Sequence, residues 1–245
     1  MIVLSAGMPR AGTGWYYNLI HDMLVAAGFQ DARKIRQQYH LQRILTEVNC
    51  LIPSLATPYL LPVLLPAQTG NTFAIKTHAP PKPFARLLIR RGVIHPTYIY
   101  RDPRDALLSA IEYGQRGLMS GISNTFSRRN IVSFETALPF MSYQLQVWDA
   151  WTQLSQALHV RYEDLLTEYD HEVERLTSFL GLEGRQEIIK SVADKYRPEG
   201  AQQGQRGLHF RQGKIGRFRE VLSPEQQQIC TKAFAPYLRR MGYSL

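Results

Sequence analysis

Short apolar runs of strand length alternate along the chain with longer segments in which apolar residues recur every three or four positions. The runs that predict strands cover residues 2–4, 72–78, 97–100 and 158–162. The helical periodicity is clearest from Trp15 to Ala27, and Gly28 predicts the end of that helix. Strands that alternate with helices predict a single α/β domain, with a central parallel sheet of about four to five strands flanked by helices on both faces.

Two segments lack a clear period and predict loops. Residues 51–67 are apolar, but they contain four prolines, so they are too short and too broken to span a bilayer as a helix. Such a loop is either a packed surface connection or the wall or lid of an apolar substrate pocket. Residues 116–134 are rich in Gly, Ser, Asn and Arg and predict a mobile loop.

The first strand leads into a loop bounded by Gly7 and Gly12, after which a helix begins. This arrangement directs backbone N–H groups at one spot where the helix dipole favours an anion, and it predicts a phosphate site. The glycine spacing is half of the signature GxxxxGK[ST], but Thr13 and Gly14 stand where lysine and the magnesium-binding hydroxyl belong. An ordinary kinase or ATPase is therefore disfavoured, and Arg10 is the cation within the loop. The alternative to a phosphate site is a tight strand-to-helix connection without a ligand, which would contain the same glycines.

Composition and charge narrow the function only a little. The chain has 245 residues, 44% of them hydrophobic, which is enough for a buried core. Its net charge of +9 suits an anionic ligand, but equally nucleic acid or a membrane surface. Cys50 and Cys230 lie far apart without a CxxC spacing, which favours neither a disulfide framework nor a zinc site. The sequence begins directly with a strand, so we expect no signal peptide and a cytoplasmic location.

Polar residues follow the predicted strands at their carboxyl ends, where ligands bind in open α/β sheets. Lys76 and His78 are two residues apart and so share one face of their strand. Arg101 follows the next strand, and Asp102 is a candidate N-cap for the helix after it. The alternative for Arg101 is that it only forms an ion pair with Asp105.

Five pieces of sequence now stand in order: residues 7–15, 76–78, 100–105 with Ser109, 161–165 and 210–216. Together they resemble the family of sulfotransferases that use 3′-phosphoadenosine 5′-phosphosulfate (PAPS) and release adenosine 3′,5′-bisphosphate (PAP). The resemblance extends from the first strand to the last loop. It implies a P-loop NTPase-like topology and one sulfotransferase domain over residues 1–245.

The resemblance also implies how the donor is bound. The residues implied to hold the 5′-phosphosulfate are Arg10, Ala11, Gly12, Thr13 and Gly14. Trp15 would stack on the adenine and Tyr162 would touch the base. The residues implied at the 3′-phosphate are Arg101, Ser109, Arg211, Gln212 and Gly213.

Three of these positions depart from the usual family pattern. Arg10 replaces the lysine of the soluble branch, as in the tyrosylprotein branch and several bacterial ones. Gly14 replaces a second threonine, so only its backbone N–H remains. Gln212 replaces a lysine, which weakens the expected phosphate contact there.

For catalysis, the resemblance implies that His78 is the general base, that Lys76 assists as its neighbour, and that Arg10 neutralises charge on the departing phosphate oxygen. The expected reaction transfers a sulfuryl group to a hydroxyl acceptor, which is either a hydrophobic alcohol or phenol or an acidic saccharide. No metal is implied, because a sulfuryl group carries less charge than a γ-phosphoryl group. We expect no nucleic acid partner and no membrane span. The alternatives are a degenerate P-loop kinase and a non-catalytic protein that binds nucleotides or polyanions.

Overall fold

A parallel sheet of five strands lies at the centre of the fold. The computed structural model of the chain describes residues 1–122, 124–198 and 213–245. The strands are β1 (Ile2–Gly7), β2 (Leu51–Ile52), β3 (Phe73–Thr77), β4 (Ile94–Tyr100) and β5 (Leu158–Arg161). Their order is β2-β3-β1-β4-β5, and every neighbouring pair is parallel. The predicted α/β class with four to five parallel strands is confirmed.

The central strand β1 has apolar residues on both faces because both faces are covered. All six of its residues are buried, as expected for a strand inside a parallel sheet. Since the strands run in one direction, their carboxyl ends lie along one edge of the sheet. The residues that end the four longer strands there are Gly7, Thr77, Tyr100 and Arg161.

The helices begin and end at residues with recognisable signals. They are α1 (Thr13–Ala26), α2 (Ala32–Gln38), α3 (Thr57–Gln68), α4 (Pro83–Arg90), α5 (Pro103–Met119), α6 (Thr125–Arg128), α7 (Phe134–Thr152), α8 (Tyr162–Thr167), α9 (Tyr169–Phe179), α10 (Gln186–Lys195), α11 (Phe218–Val221) and α12 (Pro224–Met241), with a 3-10 turn at Glu183–Arg185. A capping box joins Ser223 to Gln226 at the start of α12, and Gly242 ends that helix with φ 79°. None of the helices within the described ranges combines the length and apolar character that a membrane span requires.

Two compact units can be distinguished. The first comprises residues 1–7, 12–100 and 150–213, and it contains the sheet with α1 to α4 and α8 to α10. The second comprises residues 8–11, 101–149 and 214–245, with α5, α6, most of α7, α11 and α12. The assignment of residues 1–245 to one sulfotransferase domain stays a prediction.

The prediction of a loop over residues 51–67 is wrong, because β2 and α3 occupy most of this segment. Pro58 lies in the first turn of α3, where a backbone N–H has no partner within the helix. Pro62 and Pro66 follow at steps of four residues, so the missing N–H groups fall on one side of the helix. Burial of Leu60 and other apolar residues compensates for these lost hydrogen bonds.

The prediction of a loop over residues 116–134 is wrong in part, since α5 continues to Met119 and α6 forms within the segment. Two glycines of α5 allow a close approach of this segment. A Cβ atom on Gly114 would lie 2.0 Å from the Ile131 carbonyl oxygen, and one on Gly117 would lie 2.3 Å from Nδ2 of Asn124. These glycines therefore allow close packing against a helix, although glycine is more typical of loops.

Replacing Gly114 by alanine should destabilise the protein. Alanine alone favours a helix by roughly 0.5–1 kcal/mol, but the new methyl group would press on a backbone oxygen that cannot rotate away. We expect the free energy of unfolding to fall by about 1–3 kcal/mol, measured by urea denaturation. Gly184→Ala is the control, because no described atom lies within 4 Å of its Cβ position. Equal stability of the two variants would contradict the packing.

Candidate active site

The loop between β1 and α1 contains two residues in the left-handed region of backbone space. Arg10 has φ 71° and Gly12 has φ 74°. Between them, the N–H of Ala11 donates to the Met8 carbonyl at 3.1 Å and closes a turn. Left-handed residues in such turns orient successive N–H groups toward an anion. For arginine the conformation costs roughly 1–3 kcal/mol, so the contacts around this residue must hold it there.

In the first unit, Gly12 packs beside an aromatic cluster. A Cβ atom on Gly12 would lie 2.7 Å from the Tyr162 ring, so glycine is required both by its φ and by this contact. The Trp15 indole is fully buried, with its centroid 6.2 Å from that of Tyr162 in an edge-to-face arrangement. Tyr169 lies at the same distance and nearly parallel to the indole, and Nε1 of Trp15 donates to the Tyr196 carbonyl at 3.0 Å. The structure thus brings together Gly12, Trp15 and Tyr162, three of the predicted site residues.

The start of α1 presents backbone N–H groups. Thr13 and Gly14 are its first residues, and Gly12 is its N-cap. Among the described residues, no side chain caps this end, and the first turn holds no acidic residue. An uncapped helix start carries partial positive charge and unsatisfied N–H donors, which favours an anion.

His78 follows β3 and contacts the end of β1. Its Nδ1 lies 2.7 Å from the carbonyl oxygen of Gly7. A carbonyl oxygen only accepts hydrogen bonds, so Nδ1 is the donor. In the neutral ring the lone pair is therefore on Nε2, which is the form that a general base requires. Lys76 is only 5% exposed, and it lies beside Ser5 of β1 in the sheet register.

In the second unit, Arg10 contacts residues of α5. Its Nε donates to Oγ of Ser109 at 3.2 Å. Its guanidinium carbon lies 4.4 Å from the centroid of the Tyr113 ring and 6.0 Å from that of Phe126. The structure thus brings together the predicted residues Arg10 and Ser109.

Arg101 is part of a larger arrangement than the ion pair considered from sequence. Its Nη2 donates to the Lys214 carbonyl at 2.8 Å and to Asp105 at 3.4 Å. The buried Asp105 carboxylate also accepts from the backbone N–H of Gly216 at 2.7 Å and of Phe218 at 2.9 Å. Asp105 therefore holds the backbone of residues 214–218 at the start of α5.

The predicted residues at the far end of the chain are described only in part. Gly213 has φ 58°, in the left-handed region that favours glycine. Arg211 and Gln212 lie outside the described residues, so their assignment stays a prediction.

Arg104 is a structural arginine. Its guanidinium forks onto Asp102, with Nε and Nη2 at 3.0 and 2.8 Å from the two carboxylate oxygens, and it is 2% exposed. The same carboxylate accepts from the backbone N–H of Arg104, which confirms Asp102 as the N-cap of α5. The Asp102 carboxylate therefore compensates the positive charge of Arg104, so this arginine stabilises the fold.

Sequence reasoning missed several residues of this site. Tyr113 lies four residues after Ser109, so the two share a face of α5, and this spacing could have revealed it. Tyr169 and Tyr196 contact Trp15 from more than 150 positions away. No local pattern marks such a contact.

The described residues offer neither a metal cluster nor a reactive thiol. No group of three or more His, Cys, Asp or Glu side chains in these ranges is arranged to hold a metal ion. Cys50 and Cys230 are both buried and free. Burial raises the pKa of the Cys230 thiol to about 11, so it is protonated at neutral pH.

Comparison with known proteins identifies the family. Residues 2–242 match the sulfotransferase domain family. The chain therefore belongs to this family, and the resemblance drawn from five separate pieces of sequence is confirmed.

Two curated relatives are cytosolic sulfotransferases. Cytosolic sulfotransferase 1 of Danio rerio is 27% identical over 201 residues, which cover 78% of this chain and 64% of the relative. Cytosolic sulfotransferase 14 of Arabidopsis thaliana is 23% identical over 256 residues, which cover 91% of this chain and 71% of the relative. The chain thus spans slightly less than two thirds of the zebrafish relative.

Two solved structures have a similar fold. A retinol dehydratase in complex with androsterone and the inactive cofactor PAP has a TM-score of 0.57 at 19% identity, covering 97% of this chain and 80% of that one. A mouse sulfotransferase complexed with PAP has the same TM-score at 16% identity, covering 97% and 84%. At these identities the similarity concerns the fold, and it confirms the P-loop NTPase-like architecture.

Replacing Asp105 by asparagine should destabilise the second unit, because asparagine has one side-chain oxygen for the two backbone N–H groups, and its amide nitrogen would face the other. We expect the free energy of unfolding to fall by about 1–3 kcal/mol, measured by urea denaturation. Asp149→Asn is the matched control, since this carboxylate is 41% exposed and pairs with Arg240 at the surface. That change should cost less than about 1 kcal/mol. A similar small loss in both variants would mean that Asp105 does not hold residues 214–218.

Proposed function

We propose that this chain is a sulfotransferase that moves the sulfuryl group of PAPS to a hydroxyl acceptor and releases PAP. The observation that carries the proposal is the hydrogen bond from Nδ1 of His78 to the Gly7 carbonyl. This bond favours the tautomer with its lone pair on Nε2, and it holds the imidazole beside Gly7, where the glycine loop begins. Membership of the sulfotransferase family and the PAP complexes of two proteins with the same fold support PAPS as the donor.

The loop and the start of α1 suit the 5′-phosphosulfate. Gly12, Thr13 and Gly14 would offer backbone N–H groups at an uncapped helix end. Arg10 would add a full positive charge, and its fork of N–H donors matches phosphate oxygens. Gly14 has no hydroxyl, so its backbone N–H is its only contribution.

Two aromatic residues suit the adenine. Tyr169 packs along one face of the Trp15 indole, and the ring is fully buried, so an adenine that stacks on the opposite face would have to displace the groups that cover it. Tyr162, whose ring edge meets Trp15 and Gly12, would contact the base from the side.

Arg101 and Ser109 are proposed to hold the 3′-phosphate. Arg101 has five N–H donors, so its bond to the Lys214 carbonyl orients the group without excluding an anion. Ser109 accepts a hydrogen bond from Arg10. A hydroxyl that accepts one bond still has its own hydrogen to donate, and Ser109 would donate it to a phosphate oxygen.

In the proposed reaction, the acceptor oxygen forms a bond to sulfur while the bond from sulfur to the bridging phosphate oxygen breaks. Nε2 of His78 takes the proton of the acceptor hydroxyl, and PAP leaves with the electron pair of the broken bond. Arg10 neutralises the charge that grows on the departing oxygen, and Lys76 adds positive charge on the strand that leads to His78. Fixed donors of this kind are typically worth about 3–4 kcal/mol each in a catalytic site.

The acceptor is proposed to be a small molecule with a hydroxyl group. The retinol dehydratase with the same fold was crystallised with androsterone, and in another crystal with retinol. Both are hydrophobic alcohols, and this favours a hydrophobic alcohol or phenol over an acidic saccharide as the first class to screen.

PAP should stabilise the chain against heat, whereas ATP with Mg²⁺ should do little. A ligand at 100 times its dissociation constant adds about 2.7 kcal/mol of stability, which a thermal-shift measurement detects. Adenosine 5′-monophosphate, which lacks the 3′-phosphate, should be weaker than PAP for the parent chain. Arg101→Ala should remove this preference and Arg90→Ala, an exposed control, should keep it. Stabilisation by ATP with Mg²⁺ and not by PAP would favour the degenerate kinase.

His78→Ala should abolish turnover while PAP still stabilises the protein. Loss of a general base typically lowers the rate by about 10²–10⁴-fold, measured with radiolabelled PAPS and a panel of alcohols and phenols. His171→Ala, on the exposed side of α9, is the control and should keep its activity. A His78 variant that loses PAP binding as well would indicate a structural histidine, and full activity would exclude it as the base.

A further inference from the structure

We propose that Tyr113 is a positioning residue for Arg10, acting as an aromatic platform on which the guanidinium rests. This inference rests on the proposed function, because it concerns how the loop cation is held for the reaction. It assigns a role to a residue that belongs to none of the five pieces of sequence on which the family resemblance stands.

The geometry of the contact is that of a cation resting on a ring. The guanidinium carbon of Arg10 lies 4.4 Å from the centroid of the Tyr113 ring, well inside the range of about 6 Å for cation–π attraction. Nε of the same group is fixed by Ser109, which lies one helical turn before Tyr113 on α5. Arg116 also lies near this ring, but at 5.7 Å. The platform therefore holds Arg10 more closely than the second arginine.

The platform itself is built rigidly. Phe126 of α6 meets Tyr113 edge to face at 5.5 Å, and Phe140 of α7 meets Phe126 in the same manner at 5.4 Å. The backbone carbonyl of Tyr113 accepts from Nδ2 of Asn124 at 2.6 Å. Gly114, the next residue of α5, leaves room for the close approach of the segment that carries α6. The Tyr113 ring is thus held by an aromatic neighbour and through its backbone.

Arg10 needs such support for two reasons. Its backbone is in the left-handed region, which a residue other than glycine keeps only when its surroundings hold it. Its side chain is long and flexible, yet a charge that stabilises a departing oxygen must be in place before the reaction. Arginine can lie flat on an aromatic ring while keeping its N–H fork in the plane, whereas lysine is a point charge. The platform thus suits an arginine at this position of the loop.

The test uses the full chain with Tyr113→Leu and Tyr113→Phe. Loss of the ring should lower kcat by about three- to thirty-fold, the fold-change that corresponds to cation–π attraction, with KM for PAPS changed less than about three-fold. Phenylalanine keeps the ring and should keep kcat close to that of the parent. In an Arg10→Ala background, Tyr113→Leu should have no further effect, because the ring acts through Arg10.

Fluorinated phenylalanines at position 113 provide a second measurement that keeps the shape of the ring, and they replace the leucine variant if it does not fold. Each added fluorine weakens the negative face of the ring, so kcat should fall in steps from one to three fluorines. The platform would be overturned by an unchanged kcat across this series, or by an equal loss of kcat from Tyr113→Leu with and without Arg10. The proposed function would still stand in that case if the parent chain binds PAP and turns over. A parent chain that neither binds PAP nor turns over would overturn the proposed function and this inference with it.

Discussion

The close packing at Gly7 is the constraint on which the site depends. A Cβ atom on this residue would lie 2.6 Å from Cγ2 of Ile99 and 2.8 Å from Cγ2 of Thr13. Because there is none, the end of β1 approaches β4 and the start of α1, and its carbonyl accepts the hydrogen bond from His78. One residue without a side chain therefore aligns the central strand, the first turn of α1 and the imidazole.

Arg10, Arg104 and Arg217 of the second unit differ in the kind of group that they contact. Arg104 forks onto Asp102, and Arg217 pairs with Glu112 at 2.6 Å. A carboxylate cancels the charge that it binds. The hydroxyl and the aromatic ring that Arg10 contacts orient a guanidinium but carry no formal charge themselves. Contacts of the second kind suit a cation whose task is to meet an anionic ligand.

The aromatic cluster of the first unit is anchored by a polar network at the end of α10. The hydroxyl of Tyr196 donates to Asp22 at 2.6 Å, while its backbone carbonyl accepts from Trp15. Burial raises the pKa of Asp22. Hydrogen bonds from His21, Tyr196 and Lys195 lower it by more than burial raises it, so the pKa lies well below its usual range. Asp22 therefore stays ionised, and α1 remains tied to α10 where the Trp15 indole lies.

The sequence by itself determined the features that depend on neighbouring residues: the strands around β1, Asp102 as N-cap, and a histidine at a strand end. The predictions of loops at α3 and at the end of α5 were wrong. Proline and glycine break isolated helices, but they are tolerated where burial and close packing compensate. Only the tertiary structure decided that Arg10 lies over Tyr113 and that Asp105 holds residues 214–218. Contacts across about a hundred residues follow from the path of the whole backbone, which no local period or spacing encodes.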